Sequence, residues 1–178
     1  MTMQQAKTAN HSYTEMNELV LPNDTNTFGN LMGGKLLYWM DICSAMAAQK
    51  HCNNVVVTAS VDNVSFRRSV KLGEVVTIKA QVTRAFNSSL EVRMEVFAQN
   101  LPKGTMEKSN EAYYTFVALD EDGKPKAVPM LIPETEGEKA LYTSALQRRE
   151  LRLILSGKLK PENAEVLQDL IKLFQKGE

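Results

Sequence analysis

The chain has 178 residues, enough for one domain with a sizeable core and an appendage. Lysine plus arginine and aspartate plus glutamate both number 21, a balance that argues against a general nucleic-acid or membrane-surface binder. No run is apolar and long enough to span a bilayer, and residues 1–12 lack the apolar core of a signal peptide. Cys43 and Cys52 form no CxxC pair and lie too far apart along one helix to bridge. Both read as reduced thiols of a cytoplasmic protein.

In chain order, residues 1–12 read as a flexible tail. Thr14 to Leu21 is a short strand candidate closed by Pro22. The stretch Pro22-Asn23-Asp24-Thr25-Asn26-Thr27-Phe28-Gly29-Asn30-Leu31-Met32-Gly33-Gly34 is a polar loop rich in turn formers. It runs into an apolar segment, from Gly34 to about His51, with the content of a helix buried nearly all round. Val55 to Phe66 reads as a long β-branched strand. After a turn at 70–74, Val76, Ile78, Ala80 and Val82 alternate with Thr77, Lys79, Gln81 and Thr83. Asn87-Ser88-Ser89 makes a hairpin. Leu90, Val92, Met94, Val96 and Ala98 then repeat the alternation, with Glu91, Arg93 and Glu95 outward. Glu111 to Leu119 is a further strand, followed by a turn from Asp120 to Pro125.

One helix followed by consecutive antiparallel strands predicts an α+β fold, a curved sheet wrapped around a long central helix. No glycine-rich phosphate loop follows any strand, so nucleotide folds fail. The wrapped-helix domain is expected over 13–133, with a helical extension over 134–178. In that extension Thr135 and Glu138 suggest a capping box for a helix from about Glu136 to Leu155. Gly157 and Pro161 separate it from a last amphipathic helix with Ala164, Leu167, Leu170, Ile171 and Phe174 on one stripe. That stripe is expected to pack on its own or a neighbouring subunit.

Asp41 is the oddity. It is the only acid between Asp24 and Asp62, and its helix neighbours Leu37, Tyr38, Ser44 and Ala45 include no cation. A carboxylate in an apolar run needs a partner elsewhere in the fold, which marks it as a candidate for chemistry. Before it, Gly33-Gly34 lets a ligand approach the backbone, and free N–H groups at a helix start suit an oxyanion. Gly34 and Asp41 are 41 − 34 = 7 residues apart, about 10 Å along a helix at roughly 1.5 Å per residue. One copy cannot easily bring both to one atom. Two antiparallel copies in a symmetric dimer can, so the spacing points to a site shared by two subunits.

The string Pro22-Asn23-Asp24-Thr25-Asn26, Gly29-Asn30, Gly33-Gly34 and Met40-Asp41 resembles the signature of hotdog-fold acyl-CoA thioesterases, the cytosolic acyl-CoA hydrolase family. Val57-Thr58-Ala59-Ser60-Val61-Asp62, Phe66, Val70 with Gly73-Glu74, Asp122-Gly123-Lys124-Pro125 and Ile132-Pro133-Glu134-Thr135 continue the match over roughly 14–150. The resemblance implies dimers with two interface sites, often trimers of dimers, that hydrolyse acyl-CoA to free acid and coenzyme A. It implies no cofactor beyond the coenzyme A of the substrate, and no metal-ligand cluster is visible in the sequence. The catalytic pair it implies is an Asn and an acid from opposing subunits, here Asn26 and Asp41; the free N–H of Gly34 at the helix start is then expected on the thioester oxygen. Whether Asp41 activates water or attacks directly stays open.

For coenzyme A the resemblance implies a pantetheine arm beside Thr58, Ala59 and Ser60. The hairpin Asn87, Ser88 and Ser89 suits phosphate. Arg148, with Arg149 beside it, matches a family cation for the nucleotide end, and Lys35, Arg67 and Arg68 are further basic candidates. A hotdog dehydratase would need a histidine, but His11 falls in the tail and His51 reads as a surface residue past the helix. No G-x-S-x-G elbow supports a serine hydrolase. The rival of another class is a non-catalytic acyl-CoA binder or sensor.

Overall fold

The computed structural model describes residues 5–175 except 63 and 67, with side chains as far as 172. It divides into two units, Met1–Ile132 and Pro133–Glu178. The first contains β1 (Lys7–Thr8), a 3-10 turn (Ala9–Ser12), β2 (Thr14–Leu19), a second turn (Pro22–Asp24), α1 (Gly33–Cys52), β3 (Val55–Asp62), β4 (Val75–Ala85), β5 (Ser89–Asn100), β6 (Thr105–Leu119) and β7 (Leu131–Ile132). Five strands form one antiparallel sheet in the order β2-β4-β5-β6-β3, and α1 packs against all five.

The core follows from two periods meeting. The inward residues of β4 (Val76, Ile78, Ala80, Val82) and of β5 (Leu90, Val92, Met94, Val96, Ala98) are all buried, as the alternation requires. Opposite them α1 presents Leu36, Met40, Cys43 and Ala47 at helical spacing, all buried. Small residues (Cys43, Ser44, Ala47, Ala48) fill the contacting face, so the helix lies close to the sheet. Burial pushes the Cys43 thiol up to about 11, so it behaves as an inert apolar group. The helix ends on Asn53, whose left-handed backbone (φ 52°) lets its N–H bond Gln49 O.

Several expectations need correction. The helix is buried on one face only: Tyr38 and Met46 are exposed and Asp41 is half-buried. Residues 7–12 are not a tail. β1 pairs in parallel with β7, and the Ser12 hydroxyl donates to Ala9 O (2.7 Å) and accepts from Val82 N (2.9 Å) inside the fold. β3 stops at Asp62, short of Phe66, and β6 begins at Thr105, six residues before Glu111 (111 − 105). Glu91 does not face water; it is buried and accepts a 2.7 Å bond from the Thr83 hydroxyl at a β4 bulge.

His51 is not a surface residue either. It lies in the last turn of α1, fully buried, with Nε2 at 2.9 Å from Pro129 O. The carbonyl can only accept, so Nε2 carries the proton, and Nδ1 has no partner among the described residues. Burial holds this imidazole below its ordinary 6.5, and the charges of Lys7 and His11 act in the same direction. The unfolded chain therefore takes up a proton first as pH falls through about 6.5, and stability is lost until the folded pKa is reached. The melting temperature should drop between about pH 7.5 and pH 5.5, and less so in His51→Gln, by calorimetry on both proteins.

In the second unit, α2 (Glu136–Leu155), a 3-10 turn (Pro161–Asn163) and α3 (Glu165–Gln175) follow one another. The capping box forms: Thr135 Oγ1 accepts from Glu138 N (3.2 Å) and Glu138 Oε2 from Thr135 N (3.1 Å). Glu150 of α2 accepts from Val166 N and Leu167 N (3.2 and 2.8 Å), placing a carboxylate at the positive end of α3. Of the expected stripe, Ala164 is buried, Leu167 and Leu170 are half-buried and Ile171 is exposed. The Phe174 side chain lies outside the described residues. Among those residues no helix is long and apolar enough to cross a membrane.

Candidate active site

The loop before α1 is held by its own polar groups. Asn26 Oδ1 accepts from Phe28 N (2.9 Å) and Asn30 N (3.2 Å), an Asx turn completed by Asn26 N to Asn30 O (2.8 Å). Gly29 makes the reversal with φ 69°. These bonds engage the carbonyl oxygen of the Asn26 side chain and leave its Nδ2 as the outward donor. Asp24 fastens the loop to the helix. Its buried carboxylate accepts from Leu21 N (3.1 Å) and lies 3.2 Å from Lys35 Nζ, and its backbone oxygen accepts from Met32 N (2.9 Å).

The start of α1 has no side-chain cap. Lys35 N and Leu36 N bond Met32 O, while the N–H groups of Gly33 and Gly34 find no acceptor inside the helix. At Gly34 an added Cβ would meet nothing within 4 Å, so a ligand atom can approach that N–H closely.

Two turns on, Asp41 has the partner that its neighbours on the helix could not supply. Its Oδ1 accepts a 2.7 Å bond from the Thr58 hydroxyl on β3. Thr58 faces Phe116 and Ser60 faces Thr115, so Ala59 is the extra residue of a bulge at this point. The bulge re-aims the strand beside the carboxylate. The charge also reaches the buried face of β6, where the Tyr114 phenol is pushed up to about 12, mainly by burial and secondly by Asp41.

The other expected residues are placed as follows. The Ser60 hydroxyl is turned to Asp62 (2.8 Å). Asn87, Ser88 and Ser89 do form the β4–β5 turn, and Ser89, Val117 and Val57 stand side by side across β5, β6 and β3. The turn is thus two strand spacings, roughly 10 Å, from β3 beside Thr58. Lys35 is paired with Asp24 and lies over the Trp39 and Tyr38 rings, at 5.5 and 5.7 Å. Arg68 is held by Glu74 (3.0 Å) and Glu107 (2.9 Å), so neither it nor Lys35 is the open cation that was expected. Arg67 lies outside the described residues. Arg148 and Arg149 are on α2 in the second unit, where Arg148 bonds Ser144 Oγ and Leu141 O. Among the described residues no hydrogen bond joins Asn26 to Asp41. Among the described residues no cluster of three or more His, Cys, Asp or Glu side chains is placed to hold a metal.

Two contributions were missed by sequence reasoning: the Thr58 hydroxyl as the partner of Asp41, and Asp24 as the link between loop and helix. Thr58 is expected only beside the pantetheine arm, and nothing in its spacing shows where the hydroxyl turns.

A long helix wrapped by a five-stranded antiparallel sheet, with open glycine N–H groups at the helix start, is the hotdog architecture, and a sequence profile of the thioesterase superfamily matches residues 28–105. YkhA of Bacillus subtilis, named as an acyl-CoA thioester hydrolase, is 40% identical over 133 residues, covering 75% of this chain and 77% of that one. A hexameric acyl-CoA thioesterase is 41% identical with a TM-score of 0.83, over 86% of this chain and 98% of that one. The acyl-CoA hydrolase of Staphylococcus aureus, in complex with butyryl coenzyme A and coenzyme A, is 36% identical with a TM-score of 0.79, over 86% and 95%. Other structures of that enzyme carry a single alanine in place of an aspartate, a threonine or an asparagine. The chain belongs to the acyl-CoA thioester hydrolase family, enzymes that cleave thioesters. It spans 25% of the length of mouse acyl-coenzyme A thioesterase 11, to which it is 40% identical.

Proposed function

We propose that this chain hydrolyses acyl-CoA to a carboxylic acid and coenzyme A at a site built by two subunits. The observation that carries the reading is the pair of open groups on α1: an N–H at Gly34 and, about 10 Å along the helix, a carboxylate oriented by Thr58. The spacing in the sequence supports it. Asn26, Asp41 and Thr58 are separated by 41 − 26 = 15 and 58 − 41 = 17 residues. The Asn, Asp and Thr replaced in the S. aureus enzyme have the same two separations.

A second copy completes the site. β3 is a sheet edge with Val55, Val57 and Val61 exposed, and α1 exposes Tyr38 and Met46. Such an edge invites pairing with another chain unless it is covered. A twofold partner covers it and brings Asn26 and Gly34 of one subunit to Asp41 of the other. Assembly into a hexamer, as in the related thioesterase, is the fuller form of the proposal, and a cytoplasmic location belongs to the same reading.

In the reaction, the thioester oxygen accepts from the Gly34 N–H, which stabilises the charge that develops on it. Asp41, with one oxygen held by Thr58, takes a proton from water through the other as the water oxygen attacks the carbonyl carbon. Asn26 Nδ2 orients the water or the thioester. Collapse of the tetrahedral adduct breaks the C–S bond, and the proton returns to the departing thiolate. The pantetheine arm passes Thr58, Ala59 and Ser60 toward the turn at Asn87, Ser88 and Ser89. The test is thiol release from a series of acyl-CoA substrates of increasing length. Turnover supports the reading; coenzyme A binding without turnover at any length replaces it with the binder.

A further inference from the structure

We infer that Phe66 is a preformed wall of the acyl pocket, held in place by Asn110 and Ser109; the inference rests on the reaction proposed at Gly34. Phe66 is 52% exposed, on the segment between β3 and β4. Its ring lies against the first turn of α1: a Cβ added at Gly33 would stand 3.4 Å from Phe66 Cζ and 3.7 Å from Cε2. The next residue carries the N–H assigned to the thioester oxygen. An acyl group whose oxygen sits on Gly34 therefore has its first carbons within reach of this ring.

A half-exposed aromatic on a connecting segment is ordinarily free to move. This one is clamped on both sides. Asn110 Nδ2 donates to Ser65 O at 2.6 Å, and the Ser109 hydroxyl lies 3.1 Å from Arg68 O and 2.5 Å from Asn110 Oδ1. The guanidinium of Arg68 is in turn fixed by Glu74 and Glu107. Ser109 and Asn110 are adjacent and both buried in β6, where the register with β5 shifts and Ser109 is the extra residue. Two consecutive buried polar side chains in a strand are unfavourable unless each finds partners, and the partners here are the backbone on either side of Phe66. The consequence is a rigid apolar surface at the reacting end of the acyl chain, where bulk next to the carbonyl is discriminated. Phe66 is the specificity residue, and Asn110 and Ser109 are positioning residues.

The test compares kcat/KM for butyryl-CoA and its branched isomer isobutyryl-CoA in wild type, Phe66→Leu, Phe66→Ala, Asn110→Ala and the Phe66→Ala/Asn110→Ala double variant. Light scattering reports the assembly of each. Phe66→Ala is expected to move the branched-to-straight ratio about tenfold toward the branched substrate, with Phe66→Leu between. Asn110→Ala should shift the ratio in the same direction, and adding it to Phe66→Ala should change nothing further, since there is no ring left to position. A loss of stability alone lowers both substrates together and leaves the ratio fixed. An unchanged ratio in active Phe66→Leu and Phe66→Ala overturns the inference, and so does loss of assembly and activity in both, which would put the ring in the subunit contact. Absence of hydrolysis by wild type on acyl-CoA of any length overturns the underlying reaction instead.

Discussion

Replacing Asp41 with asparagine is expected to lower kcat by about 10²–10⁴-fold while coenzyme A affinity and assembly stay near wild type. The substitution is nearly isosteric, and the asparagine oxygen still accepts from the Thr58 hydroxyl that Asp41 Oδ1 accepts from at 2.7 Å. What disappears is the capacity to take a proton from water. No cation depends on this carboxylate among the described residues, so the fold has little to lose, and the melting temperature should move by only a few degrees. Steady-state thiol release beside calorimetric titration with coenzyme A separates the two readings. A kcat close to wild type would remove Asp41 from the chemistry, and a loss confined to affinity would favour the binder.

Mixing two inactive variants is expected to restore activity. Asn26→Asp keeps a side-chain oxygen that accepts from Phe28 N and Asn30 N, so the loop survives while the Nδ2 donor is replaced by a charged oxygen that cannot donate. Each variant alone has a defect in every site. In a mixed dimer of Asn26→Asp with Asp41→Asn, one site receives both defects and the other neither. With random exchange half of the dimers are mixed, and recovery approaches about a quarter of wild-type turnover. If one chain supplied both residues to its own site, each site would keep one defect and mixing would restore nothing. Activity measured against time after mixing, with each variant alone as control, distinguishes the outcomes.

The sheet and the central helix were legible because their signals are strong and local. Val76 to Val82 and Leu90 to Ala98 alternate without a break, and a strand with one buried face must do so. β1 and β7, two residues each, have no period to read. The early part of β6 escaped for a physical reason: Ser109-Asn110 looks like the edge of a turn, yet it is buried because its side chains bond the segment around Phe66. His51 looked like a polar helix end, and only the course of the chain near Pro129 encloses it. At the site, the unpartnered position of Asp41 was visible from its neighbours three and four residues away, and the glycines at the helix start from their place between a polar loop and an apolar run. Thr58 as the partner of Asp41 was not, because that contact joins residues far apart in sequence through the fold.

The clasp between β1 and β7 brings residue 7 alongside residue 131, one strand spacing apart, about 4.8 Å. Residues 7 and 131, close to the two ends of the described part of the first unit, are therefore neighbours. The unit's chain order is separable from its architecture: a linker of roughly six residues can join the two ends, and a new opening can be cut at the exposed β5–β6 turn, 101–104. Such a circular permutant would keep Asp41, Thr58 and Gly34 in their present arrangement while moving the chain ends far along the sequence from the helix and strand that carry them.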